Sequence, residues 1–321
     1  MRAMLPVENS SRRRFLCYGV ASLTLTPAIA KAQSLVPTTS QPQKLAAPGA
    51  ASLLTIDVTI EDKGPYHFVI DTGADRTVIA DDVANALGLT RGPLVNVEGV
   101  VRTLPAQTVT LSEISFGAVR KEQLVVPVLP RTLLEADGYL GLDVVDGYRV
   151  MLDFRNQALL VESPRQALLL NYNKMNEVVI PVSGHSGRLR ASFSRIDDVT
   201  ATTFIDTGAE VTVGNSKLFE ALVASDPSYA KNQTVTLRGV TGGTIEGRVT
   251  DLNRIKINSL LIYDSKVVIS DLQIFDLWGL KDKPALLIGM NFLRQFNQVS
   301  IDYGRKELRF DLASLIDTKR S

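Results

Sequence analysis

Two stretches of the chain share one pattern and decide its fold: FVIDTGADRTVI at residues 68–79 and FIDTGAEVTV at residues 204–213. In each copy an apolar run leads into Asp-Thr-Gly, and a second apolar run follows within a few residues. This pattern predicts a strand, a tight turn that carries a carboxylate, and a second strand. The glycine permits a close backbone approach, and the threonine hydroxyl can hydrogen-bond a neighbouring turn. Each copy therefore presents one acid, Asp71 or Asp206, at the tip of a loop.

Two further pairs of segments repeat in the same order after the two acids. YLGLDVV at residues 139–145 matches LIGMNFL at residues 287–293. LDF, four residues and LLV, ending at Val161, match IDY, four residues and LRF, ending at Phe310. Three matched features in one order indicate an internal duplication, and the last pair predicts a hairpin that closes each half.

On these residues the chain resembles aspartic peptidases of the retropepsin-like type, whose motif is Asp-Thr-Gly-Ala. The resemblance covers about residues 53–310 and implies an all-β fold of two retropepsin-like lobes with short helices. We expect the lobes at residues 53–162 and 177–312, with a linker at residues 163–176. In such folds the glycine of the second matched pair is needed where that strand passes close to the acid loop.

The resemblance implies that Asp71 and Asp206 form a catalytic pair without metal or cofactor. Two close acids cannot both ionise cheaply, so one would activate a water as general base while the other stays protonated and polarises the carbonyl. The residues that follow each acid would support the pair: the threonines lock the loops together, and the glycines let backbone amides reach the carboxylates. Alanine comes next, where pepsin-like enzymes usually have a hydroxyl donor. These supports are Thr72, Gly73, Ala74, Thr207, Gly208 and Ala209.

Two loops resemble, by position, the flap hairpins that cover substrate in this family. They are VEGVVRTLP at residues 97–105 and LRGVTGGTI at residues 237–245, and they share a Gly-Val pair. An ordinary hairpin loop is the alternative for each. Trp278, ahead of the second matched glycine, is expected in the core rather than as a substrate platform. The candidate flap residues are Gly99, Val100, Gly239, Val240, Thr241, Gly242 and Gly243.

The N-terminal residues have the order of a signal peptide. SRRRFL at residues 11–16 is followed by a short apolar stretch and by AIAKA at residues 28–32. The arginines followed by Phe-Leu resemble the twin-arginine export signal of bacteria; a basic amphipathic segment of a cytosolic protein is the alternative. We expect residues 1–32 to be removed, residues 33–52 to be a linker, and the mature protein to be periplasmic or secreted. The apolar stretch is too short and interrupted for a stable membrane span.

Composition excludes several other classes of protein. The formal net charge is +1, which suggests neither a nucleic acid nor an anionic membrane surface as partner. One cysteine, Cys17, excludes an internal disulfide framework and a cysteine-based zinc site. No histidine accompanies the acids at positions 75, 81 and 82, so no metal site is predicted there.

We therefore interpret the chain as an exported aspartic endopeptidase that acts on a peptide or protein substrate as a monomer, because it carries both acids. Two other classes stay open. One is an exported protein that holds a peptide or glycan in the same cleft without cleaving it, and the other is a structural or regulatory partner.

Overall fold

The computed structural model shows two lobes built mostly from β-strands with short helices, which confirms the predicted fold class. The predicted signal peptide and most of both predicted linkers lie outside the described residues. None of the helices in the described ranges is long and apolar enough to cross a membrane. The described residues are 43–44, 55–156, 158–163, 177–183, 189–230 and 233–312.

The first lobe opens with a strand whose side chains alternate between buried and exposed. Ile56, Val58 and Ile60 are buried, while Asp57 and Thr59 between them are exposed. Elements are numbered in chain order. The strands up to the end of this lobe are β1 (Gln43–Lys44), β2 (Thr55–Ile60), β3 (Lys63–Ile70), β4 (Val78–Ala80), β5 (Leu94–Glu98), β6 (Thr103–Phe116), β7 (Val119–Leu129), β8 (Gly138–Leu140), β9 (Arg149–Asp153) and β10 (Ala158–Glu162), and the helices are α1 (Asp81–Ala86), α2 (Arg131–Leu134) and α3 (Leu142–Val145).

The second lobe repeats these elements. Its first described strand is β11. The strands are β11 (Glu177–Ser183), β12 (Arg190–Ile196), β13 (Val199–Ile205), β14 (Val213–Gly214), β15 (Gln233–Arg238), β16 (Thr244–Ile257), β17 (Leu260–Ile269), β18 (Ala285–Ile288), β19 (Gln298–Asp302) and β20 (Glu307–Asp311); the helices are α4 (Ser216–Ser225), a 3₁₀ turn (Pro227–Ala230), α5 (Gln273–Leu277) and α6 (Met290–Leu293).

The two lobes have the same strand order. In the first lobe it is β2-β3-β8-β4-β7-β6-β5, and in the second β12-β13-β18-β14-β17-β16-β15. β2 also pairs with β6, and β12 with β16, so each sheet curls back on itself. The matching order is the structural counterpart of the sequence repeat.

The hairpins that close the lobes are joined in one sheet. The sequence predicted a hairpin at the end of each half, and the structure adds that β9 pairs with β19 and β11 with β20. The order there is β1-β10-β9-β19-β20-β11. β1 lies within the segment that we expected to be a linker and pairs with Leu159 and Ala158 of β10. Backbone hydrogen bonds therefore connect the lobes directly.

Candidate active site

The two acids occupy equivalent places in their lobes. Asp71 follows β3, which pairs in parallel with β8, and Asp206 follows β13, which pairs in parallel with β18. The Asp71 amide donates to the Leu140 carbonyl at 3.0 Å, and the Asp206 amide donates to the Ile288 carbonyl at 2.9 Å. Each acid is thus held by the last hydrogen bond of a buried parallel pair.

Two threonines tie the acid loops to each other. The Thr72 hydroxyl donates to the Ile205 carbonyl at 3.2 Å, and the Thr207 hydroxyl donates to the Ile70 carbonyl at 2.6 Å. The amide of each threonine donates to the hydroxyl of the other, at 3.2 and 3.0 Å. Both threonines are buried. Separating the loops would leave these polar groups unpaired, which is costly in a buried site.

The two glycines leave room for the carboxylates. A methyl group on Gly73 would lie 2.6 Å from Asp206 Cγ, and one on Gly208 would lie 2.3 Å from Asp71 Cγ. Each carboxylate therefore packs against the glycine of the opposite loop. The two carboxyl groups also hydrogen-bond each other.

Backbone amides support the carboxylates. The amides of Gly73 and Ala74 donate to Asp71 Oδ1 at 2.9 and 3.0 Å, and the Gly208 amide donates to Asp206 Oδ1 at 2.8 Å. The amide hydrogen bonds therefore supply part of what a side-chain hydroxyl at position 74 would supply.

Burial governs the protonation of the pair. It raises the pKa of Asp71 well above the usual range, and the charge of Asp206 and the hydrogen bond between the two raise it further. Burial also raises the pKa of Asp206, while hydrogen bonds from Asp71 and from backbone amides act in the opposite direction. Because the carboxyl groups titrate as a pair, they share one proton at a pH where isolated acids have lost theirs.

Both acids line a cavity of about 470 Å³. Three of the predicted flap residues, Val100, Gly239 and Val240, line it as well. The other predicted flap residues lie at the hairpin turns, where Gly242 and Gly243 adopt φ of +82°, a conformation that favours glycine.

The tips of the two hairpins contact each other. The Thr241 hydroxyl donates to the Arg102 carbonyl at 2.7 Å, and Arg102 Nε donates to the Thr241 carbonyl at 2.8 Å. Thr241 is fully buried, and a methyl group on Gly99 would lie 2.1 Å from its hydroxyl oxygen. Arg102 was not predicted from the sequence as a site residue, because nothing local indicates that its partner lies on the other hairpin.

A second pair of threonines fixes the matched glycines beside the acid loops. Thr77 donates through its amide and hydroxyl to Asp143, and Thr212 donates likewise to Asn291. In the first lobe the Thr77 hydroxyl also accepts the amide of the matched glycine at 3.1 Å, and Thr212 does so in the second lobe. Burial raises the pKa of Asp143, while its hydrogen bonds from Thr77 act in the opposite direction.

These four polar residues were not predicted from the sequence as site residues. Their signal was the repeat itself, since each threonine lies six positions after an acid and each partner two positions after a matched glycine. The glycines lie against backbone as expected: a methyl group on Gly141 would lie 2.4 Å from the Arg76 carbonyl carbon, and one on Gly289 would lie 2.5 Å from the Val211 carbonyl oxygen.

Trp278 is half-buried and packs on Phe204, with ring centroids 4.5 Å apart. It therefore packs beside a small hydrophobic cluster of the second lobe, in agreement with the expected core position. Within the described ranges, no group of three or more His, Cys, Asp or Glu residues is placed to hold a metal ion.

A family model described as aspartyl protease matches residues 56–144 and 194–292, which together make up more than half of the chain. Each matched region contains one of the two acids. No curated protein matches the chain.

Proposed function

The chain belongs to the aspartyl protease family, and we propose that it is an exported endopeptidase whose Asp71 and Asp206 activate a water for peptide hydrolysis. The observation that carries the proposal is the cage around the two carboxyl groups. Asp206 is buried and Asp71 is half-buried, the two hydrogen-bond each other, and each packs against the glycine of the opposite loop.

The shared proton supplies both halves of the chemistry. The ionised carboxylate takes a proton from the water as the water oxygen attacks the peptide carbonyl carbon. The protonated carboxyl group donates a hydrogen bond to the carbonyl oxygen, which gains negative charge in the tetrahedral intermediate. The pair now holds two protons and gives one of them to the peptide nitrogen. The C–N bond then breaks, which releases a carboxylic acid and an amine. The pair ends with one proton, as it began.

The test is to incubate the purified protein with a diverse peptide mixture and to identify the products by mass spectrometry. Asp71→Asn and Asp206→Asn should each abolish hydrolysis, because each removes half of the shared-proton pair. Both changes are nearly isosteric and remove a buried acid, so the folded state should hold its stability or gain some.

A matched control is Asp62→Asn in the exposed turn between β2 and β3. Asp62 has a φ of 59°, which asparagine tolerates, and it lies outside the acid loops. It should cleave like the wild type. Normal turnover in either dyad variant would refute the mechanism. Tight peptide binding with no product from the wild type would instead favour the non-catalytic binding protein.

Export is the second part of the proposal and is supported by the sequence SRRRFL at residues 11–16. Residues 1–32 fused to a folded reporter should carry it out of a bacterial cytoplasm by the twin-arginine route. Replacing Arg12 and Arg13 by lysine should block transport, since that route depends on an arginine pair. Equal export of the two fusions would contradict the route.

A further inference from the structure

Each lobe forms one wall of the cleft beside the acid pair. We call Val69 and Tyr139 the first wall, and Phe204 and Leu287 the second wall. Val69 lies two residues before Asp71, and Phe204 lies two residues before Asp206. Val69 pairs with Tyr139 on β8, and Phe204 pairs with Leu287 on β18. The same wall position is therefore filled by a small side chain in one lobe and by a large one in the other.

The wall of the first lobe is open. Val69 and Tyr139 line the 470 Å³ cavity, together with the segment Leu133–Ala136 that ends α2 and follows it. Most of these side chains are apolar. The cavity continues between residues 209–211 of the second acid loop and residues 236–240 of the second flap.

In the second lobe the position of Phe204 is filled by protein, while Leu287 beside it still lines the cavity. Trp278 ends α5 as Glu135 ends α2, and its ring packs on Phe204 at 4.5 Å. Val100 of the first flap packs against the same hydrophobic cluster, and its carbonyl accepts the Gln273 amide at 2.8 Å. Neither aromatic ring lines the cavity. Residues 74–76 and 276–279 correspond to residues 209–211 and 133–136 by position, and none of them lines the cavity.

We propose that Phe204 and Trp278 make the cleft one-sided. The enzyme takes a bulky apolar side chain on only one side of the scissile bond, in the pocket beside Val69, and a small side chain on the other. An extended peptide that crosses two matched walls places the residues before and after the bond against different lobes. The inference rests on the proposed peptidase function and adds the residues that set its selectivity.

The test uses two peptides that differ only in the order of one Phe-Ala pair at the centre and lack other bulky apolar residues. The wild type should cleave at the central bond of one peptide with a kcat/KM at least about 10-fold higher than for the other, because a pocket that fits one side chain discriminates by that order. Mass spectrometry identifies the bond.

Two variants open the second wall. Trp278→Ala removes the ring that covers it, and Phe204→Val gives it the side chain of the first wall. Each should bring the ratio of the two kcat/KM values towards one. Both peptides are measured on the same preparation, so the fraction of folded enzyme cancels from the ratio. Val69→Phe, which fills the open wall, should lower the kcat/KM of the preferred peptide at least about 10-fold.

A matched control is Leu277→Ala, which shortens the exposed neighbour of Trp278. Its ratio should equal that of the wild type. Equal cleavage of both peptides by the wild type would overturn the inference alone, and so would a ratio that Trp278→Ala and Phe204→Val leave unchanged. A wild-type enzyme that cleaves neither these peptides nor the diverse mixture would refute the proposed function and the inference with it.

Discussion

Replacement of Gly208 by alanine is expected to disable the acid pair through one methyl group. The added carbon would lie 2.3 Å from Asp71 Cγ and 2.5 Å from both of its carboxylate oxygens. Ordinary contact begins at 3.4 Å. The carboxyl group of Asp71 would therefore have to move by about 1 Å, or the two acid loops would have to separate.

Moving the Asp71 carboxyl group and separating the two loops would each break hydrogen bonds. Asp71 is held by the amides of Gly73 and Ala74 at 2.9 and 3.0 Å. The loops are held by the reciprocal hydrogen bonds of Thr72 and Thr207. A misplacement of about 1 Å at reacting groups costs on the order of 100-fold in rate, and an extra methyl group in a packed site costs about 1–3 kcal/mol of stability.

The assay is kcat/KM on a peptide that the wild type cleaves, with urea unfolding of the same samples. Gly73→Ala should behave in the same way, since its methyl group would lie 2.6 Å from Asp206 Cγ. Gly304→Ala, in the exposed turn between β19 and β20, is the control, because its nearest atoms lie at 3.5 Å. Folded Gly208→Ala and Gly73→Ala proteins with activity within about threefold of the wild type would refute the packing argument.

Three further predictions concern proton binding and assembly. The double variant Ala74→Thr with Ala209→Thr should move the pH profile of kcat/KM towards acid, because a hydroxyl donor favours the ionised pair; a profile that stays in place would contradict this. Asp143→Asn, which copies Asn291, should increase the free energy of unfolding at neutral pH, because burial raises the pKa of Asp143 and the folded state disfavours its charged form. That gain should disappear below the ordinary pKa of aspartate, where both states are protonated, and urea unfolding at several pH values measures it; a difference independent of pH would count against the argument. Specific activity should stay constant on dilution, because one chain supplies both acids; activity confined to dimeric fractions would show otherwise.

The positions of the acid loops were predictable because their signals are local. An apolar run, Asp-Thr-Gly and a second apolar run specify strand, turn and strand within about ten residues. The repeat then placed the same unit twice. The helix after the first loop has an equally local signal, with acids in its first turn and Gly88, at φ of +70°, just beyond its end.

Contacts between the halves were not predictable, because local patterns do not name a distant partner. The apolar segments around Leu152 and Ile301 predicted a hairpin in each half. They did not predict that β9 would pair with β19. Arg102 looked like an ordinary charged residue in a turn, and its partner Thr241 lies on the opposite hairpin. The matched wall positions were visible in the repeat, yet only the packing of Phe204 on Trp278 shows that one wall is filled.

The two halves agree where the chemistry needs symmetry and differ where it does not. The loops around Asp71 and Asp206 carry the same Thr-Gly-Ala, because the glycine of each loop must leave room for the carboxylate of the other. A substitution in one glycine would disturb the opposite acid, so both copies are constrained together. The walls carry no such reciprocal contact. In a symmetric homodimer any change in a wall would appear on both sides of the cleft. A single chain with two acid loops is free of that constraint, and the contrast between Val69 and Phe204 is the kind of divergence it permits.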